Sequence, residues 1–174
     1  TCGLTPLLMA VEQEGGEVAR LKPPDFTKFK GNPFINNLDD AVNYAKIISK
    51  ELNDVHINMN FAPVLDIILP SKDTPKGFES VMLKRAFQGT PEKVALLGSK
   101  VIKTFQKYGI MSVAKHFPGI GRTTLDSHLH LPLLDANFDL LDNNDLIPFK
   151  DAINSDVAGI MLSHILYTKL DDTF

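Results

Sequence analysis

A chain of 174 residues, 44% hydrophobic and 22% charged, has the composition of an ordinary soluble globular domain able to bury a sizeable core. Its formal charge of −3 argues against a nucleic-acid partner, which would be held by clustered Lys and Arg that displace counterions. A single cysteine, Cys2, excludes an intrachain disulfide and a Cys-rich metal site, and no apolar run approaches the roughly 20 residues needed to span a bilayer.

Pro6 to Val11 reads as a short buried strand that opens into a polar loop, Glu12-Gln13-Glu14-Gly15-Gly16. A Pro- and Lys-rich segment follows to Asn37. Asp39 and Asp40 then lead a helix through Leu52, with Ala41, Val42, Ala45, Ile48 and Leu52 on one face. Ile57 to Ile67 is the next strand, interrupted by Pro63, and Pro70 to Gly77 is loop. Pro91 opens a helix through Tyr108 whose stripe is Val94, Leu97, Val101 and Phe105, and Gly109 ends it. Ile110 to Ala114 is a buried strand, Asp145 to Ala152 is helical, and Ala158 to Ile165 is a further buried strand.

The order β-α-β-α-β-loop-α-β implies a mostly parallel sheet with right-handed crossovers. Gly15-Gly16 and Gly119-Ile120-Gly121 lack the G-x-G-x-x-G spacing of a doubly wound nucleotide binder, so a TIM-type (β/α) barrel is the expected α/β architecture. A complete barrel takes about 250 residues. An incomplete one is therefore expected, with exposed strand edges that invite self-association.

The densest polar chemistry lies in Lys115-His116-Phe117-Pro118-Gly119-Ile120-Gly121-Arg122-Thr123-Thr124-Leu125-Asp126-Ser127-His128, at the end of an apolar strand. Barrel enzymes build their sites there. Asp126 and His128, two apart, share a face of an extended segment, and the carboxylate can fix the imidazole tautomer for proton transfer. Lys115 needs a partner or a functional cavity, since a buried ammonium is costly; a Lys–Asp pair at the barrel mouth is the structural alternative. Arg85 could fork onto an oxygen-rich ligand, though by itself it reads as a surface residue. Asp126, His128 and His130, with His116 or His164, could instead ligate a metal.

These residues make the chain resemble the N-terminal barrel domain of family 3 glycoside hydrolases, in particular their bacterial β-N-acetylglucosaminidase branch. The Lys115 to His128 loop with Leu131-Pro132 resembles the branch's Lys-His-Phe-Pro-Gly-x-Gly and Asp-Ser/Thr-His run. Gln13-Glu14-Gly15-Gly16 with Arg20, Asn60 to Asp66, Arg85-Ala86-Phe87, Leu146 to Phe149 and Met161-Leu162-Ser163-His164 continue the likeness along nearly the whole chain.

The resemblance implies a retaining exo-β-N-acetylglucosaminidase acting on cell-wall (peptidoglycan) or chitin-derived glycans, without metal or organic cofactor. Asp126 and His128 would be the acid/base, and Glu12, Arg85, Lys115, His116 and His164 would hold the sugar. The family's nucleophile is an Asp on a strand well beyond His164. Residues 1–174 are thus expected to be part of the barrel domain, lacking that strand and the first strand, and inactive alone. Glu12, Glu17, Ile120 and Arg122 depart from the branch, where Asp, Arg, His and Asp are usual. Phosphorolysis, with Arg122 beside the phosphate, and a glycan-binding barrel without turnover are the alternative activities. A cytoplasmic location is expected, with secretion or a lipid anchor the alternatives.

Overall fold

The computed structural model describes residues 7–68, 80–125 and 129–171. Its centre is a parallel four-stranded sheet of β1 (Ala10–Val11), β4 (Met59–Asn60), β5 (Met111–Phe117) and β7 (Gly159–Leu162), in that spatial order. Between β1 and β4 come the hairpin β2 (Gln13–Gly15) and β3 (Val18–Ala19), a 3₁₀ turn at Asn32–Phe34 and helix α1 (Leu38–Asp54). Helix α2 (Pro91–Lys107) links β4 to β5. Between β5 and β7 lie β6 (Leu133–Leu134), the single turn α3 (Phe138–Leu140), a π turn at Leu141–Asp145 and α4 (Ile147–Ile153). β8 (Leu166–Tyr167) pairs in parallel with β6.

Spatial order follows chain order, without the reversal that marks a doubly wound sheet. Right-handed crossovers then place every connecting helix on the same side, as in a barrel wall. α1 packs on α2, and α2 on α4. Among the described residues the sheet does not close: β1 and β7 are its edges. No helix among them is long and apolar enough to cross a membrane.

The helices form for local reasons. The Asn37 side chain accepts the Asp40 amide at 2.9 Å, and Asp39 and Asp40 sit in the first turn of α1, where negative charge suits the helix dipole. Thr90 caps α2 and Pro91 opens it. Their apolar stripes meet in one core, in which Tyr44 packs edge-on against Phe29 and Phe105. A methyl group at Gly98 would run into Leu65 Cδ2, so the absent side chain lets α2 lie directly on the segment after β4.

Several predicted elements differ in extent. The first strand is only Ala10–Val11, and Leu7, Leu8 and Met9 are exposed rather than buried, because β1 is a sheet edge. Glu12 to Gly16 is not a loop: Gln13–Gly15 pairs with Val18–Ala19. The strand expected over Ile57 to Ile67 is confined to Met59–Asn60; Pro63 has no N–H to donate, and pairing resumes only as an isolated bridge between Val64 and Lys115. β5 continues past Ala114 through Phe117, since β7 pairs along it, so Lys115 and His116 are strand residues. Helical structure begins at Phe138, ahead of Asp145, and widens into a π turn before Pro148. β7 is shorter than Ala158 to Ile165 and only partly buried, being the other edge. The Pro70 to Gly77 loop lies outside the described residues.

Candidate active site

The C-terminal ends of the parallel strands carry a cluster of buried charges. Lys115, on β5, is fully buried, with Nζ 2.6 Å from Glu14 Oε1 and 3.2 Å from Glu12 Oε1. Arg85 forks onto the same Glu14, with Nη2 2.7 Å from Oε1 and Nε 3.0 Å from Oε2. Glu12 Oε2 accepts from Arg20 Nη2 at 2.9 Å. The buried lysine is thus neutralised by two glutamates rather than by an aspartate, and Arg85, with only 18% of its side chain exposed, is no ordinary surface residue. Burial would push the Glu12 carboxyl up, but Lys115 and Arg20 outweigh it and hold the group below its usual range. Burial would likewise lower Arg85, and its bonds to Glu14 raise it instead.

The hairpin holds Glu14 in place. Gly15 and Gly16 turn it at φ 82° and 62°, values that side chains disfavour. Gln13 donates from Nε2 to the Leu21 carbonyl and accepts the Arg20 and Leu21 amides on Oε1, closing β2 onto β3. Asn60 ties the hairpin to β4 by accepting the Gln13 amide and donating to its carbonyl. The Tyr44 hydroxyl donates to the Glu14 carbonyl at 3.0 Å.

Beside this cluster His116 faces a cleft of about 270 Å³, whose lining includes Glu12, Arg85, Ile120, Ser163 and His164. Lys115 stands behind that lining, under Glu12. His116 Nδ1 lies 2.8 Å from Oδ2 of Asp66, which is fully buried. Asp66 Oδ1 accepts the Ile120 amide at 2.8 Å.

The loop after β5 is pinned from below. The Tyr167 hydroxyl donates to the Gly119 carbonyl at 2.7 Å, and Gly121 lies so close to the Ile67 carbonyl that a Cβ there would collide with it. Arg122 donates from Nε and Nη2 to Asp145 Oδ2 at 2.9 and 2.8 Å, with 13% of its side chain exposed. The guanidinium that was expected beside a phosphate is thus paired with Asp145. Burial raises the Asp145 carboxyl against the pull of Arg122. Asp126 and His128 lie outside the described residues. His130 is exposed, and among the described residues no three His, Cys, Asp or Glu converge as metal ligands. Glu17 pairs with Lys84 at 3.0 Å on the exposed side of the hairpin.

Of the residues the sequence singled out, the structure places Glu12, Arg85, His116 and His164 on one cleft and buries Lys115 against Glu12, outside its lining. Sequence reasoning assigned no role to Glu14, Asp66 or Asp145. Glu14 and Asp66 stood inside the recognised motifs, so a signal existed; Asp145 carried none.

A parallel α/β wall with charged side chains and a cleft at its strand ends is the class of scaffold on which barrel enzymes build their sites. The Glycosyl hydrolase family 3 N terminal domain matches residues 1–173, and the chain belongs to that family. It is 39% identical to beta-hexosaminidase A of Pseudoalteromonas piscicida over 97% of the chain and 28% of that protein. Its structure superposes on a family 3 beta-N-acetylglucosaminidase from Paenibacillus sp. with a TM-score of 0.86 and 38% identity, covering 97% of the chain and 31% of that structure. Native NagZ from Neisseria gonorrhoeae gives a TM-score of 0.84 and 32% identity, covering 96% and 49%. The chain thus spans half or less of the length of these relatives.

Proposed function

We propose that the full-length protein carrying this domain is a retaining exo-β-N-acetylglucosaminidase that removes terminal β-linked N-acetylglucosamine from cell-wall or chitin-derived glycans. The observation that carries this reading is the juxtaposition of Glu12, Arg85 and His116 around a cleft of about 270 Å³. That volume is close to the roughly 300 Å³ at which small-ligand pockets begin, which suits one sugar ring. Glu12 offers carboxylate oxygens to sugar hydroxyls, Arg85 offers N–H donors, and His164 stands in the bend just after β7. Lys115 places a positive charge behind Glu12.

In this reading His128, oriented by Asp126, protonates the leaving oxygen while a carboxylate attacks the anomeric carbon from the opposite face. Water then hydrolyses the glycosyl-enzyme with His128 as base. In this reading the attacking carboxylate is an Asp on a strand well beyond His164.

The test is hydrolysis of an aryl β-N-acetylglucosaminide by the full-length protein and its His128→Ala variant. General acid–base catalysis contributes roughly 10²- to 10⁴-fold, so a loss of that size in kcat/KM is expected. Undiminished turnover in the variant would overturn the dyad assignment, and absence of turnover in both would overturn the activity.

A further inference from the structure

We propose that Asp66 is a positioning residue that holds His116 in its Nδ1–H form and thereby turns Nε2 toward the cleft as a hydrogen-bond acceptor. The inference rests on the sugar-binding reading only for the identity of the ligand.

The geometry supplies the argument. Asp66 is fully buried at the end of the segment that follows β4, 50 positions before His116 in the chain. Its two oxygens have separate tasks. Oδ1 accepts backbone N–H groups, from Ile120 at 2.8 Å and, at the longer distance of 3.4 Å, from His116 itself. Those amides are donors only, so an oxygen must face them. Oδ2 is left for the ring, 2.8 Å from Nδ1. A carboxylate can only accept, so Nδ1 carries the hydrogen and the neutral ring has a bare Nε2. With Nδ1 committed, Nε2 is the nitrogen that this cleft-lining ring has left to offer.

The consequence is a rule of ligand choice. Glu12 and His116 Nε2 both accept, whereas Arg85 donates; a ligand must therefore bring hydroxyl donors to the first two. A site built to pair with a hydroxyl discriminates strongly against an analogue lacking it, because its own polar group is then left unpaired. Asp66 would set that preference without touching the ligand. It also ties the ring to the first residues of the loop after β5, since the same side chain accepts the Ile120 amide.

Asp66→Asn makes the idea testable. The backbone donors require the amide oxygen to stay at the Oδ1 position, so Nδ2 takes the place of Oδ2 and donates to Nδ1. The ring must then carry its hydrogen on Nε2, and the cleft-facing atom changes from acceptor to donor. Long-range ¹⁵N spectra of the full-length protein labelled in histidine, with His116 assigned through His116→Gln, should show Nδ1–H with bare Nε2 in the wild type and the reverse in Asp66→Asn. The KM for an aryl β-N-acetylglucosaminide should rise about tenfold or more, with kcat less affected. A wild-type ring found as Nε2–H, or protonated on both nitrogens at neutral pH, would overturn the proposal even if the variant failed to fold. So would an unchanged tautomer in a folded variant. An Nδ1–H ring in a protein that turns over no N-acetylglucosaminide would support the positioning role and overturn the glycosidase reading alone.

Discussion

The helical side of the sheet and the rim at its strand ends are both buried, yet different forces hold them. Behind the sheet, Val94, Leu97, Val101 and Phe105 of α2 meet Ile48 and Leu52 of α1 in a contact that is favourable at any orientation filling the volume. At the rim, Glu14 meets Lys115 and Arg85 at 2.6 and 2.7 Å, and each partner matters because an unpaired buried charge is costly. The helical side can lose a side chain and keep its function in the molecules that remain folded. The rim cannot, because its charges define the cleft.

Two truncations of similar thermodynamic size sharpen that contrast. Phe105→Ala should destabilise by about 3–5 kcal/mol through the cavity it leaves. Glu14→Ala should cost a similar 3–5 kcal/mol by taking the carboxylate from Arg85 and leaving Lys115 with Glu12 alone. Denaturant midpoints measure both. At a temperature where the full-length variants remain folded, only Glu14→Ala should raise the KM for the N-acetylglucosaminide. An equal rise in both would erase the distinction.

Gly98→Ala should cost about 1–3 kcal/mol, because the methyl group must displace Leu65, with no change in KM. Thermal unfolding of the variant reports the first and steady-state kinetics the second.

The smallest effect is the sign of two pH dependences. Glu12 sits below its ordinary value of 4.5, so just below that pH the unfolded chain binds more protons, and the stability Glu12 contributes is lost as pH falls through its native value. Asp145 sits above its ordinary value of 3.8, so the native state binds more protons there, and stability is lost as pH rises through the native value. Urea midpoints across the acid range should therefore lose a rising component in Glu12→Gln and a falling one in Asp145→Asn. The opposite pairing would contradict the burial and ion-pair assignments.

Sequence reading served the two regions unequally, for physical reasons. The buried stripe of α2 was legible because helical periodicity is local, and Pro91 marked its start. The parallel strand order followed from the alternation of elements. Strand extents were misread because a parallel ladder depends on its neighbours: β5 runs on to Phe117 with β7 beside it, and Leu7 to Met9 are exposed next to a strand that is an edge among the described residues. The rim was legible as residue types but not as partnerships. Lys115 lies 103 positions from Glu12, Arg85 lies 71 from Glu14, and no spacing rule joins them. Arg122 shows the same gap, since the side chain that claims it, Asp145, sits on a π turn that periodicity did not reveal.

The measurement that bears most directly on the account is kcat/KM of the full-length protein for an aryl β-N-acetylglucosaminide, compared between wild type and Arg85→Met. Arg85 touches both the cleft and Glu14, so the account predicts measurable turnover in the wild type and a loss of ten- to a hundredfold or more in the variant, on the order of 1.5–3 kcal/mol for charge-assisted hydrogen bonds. Full activity in a folded Arg85→Met protein would place the sugar site elsewhere and contradict it.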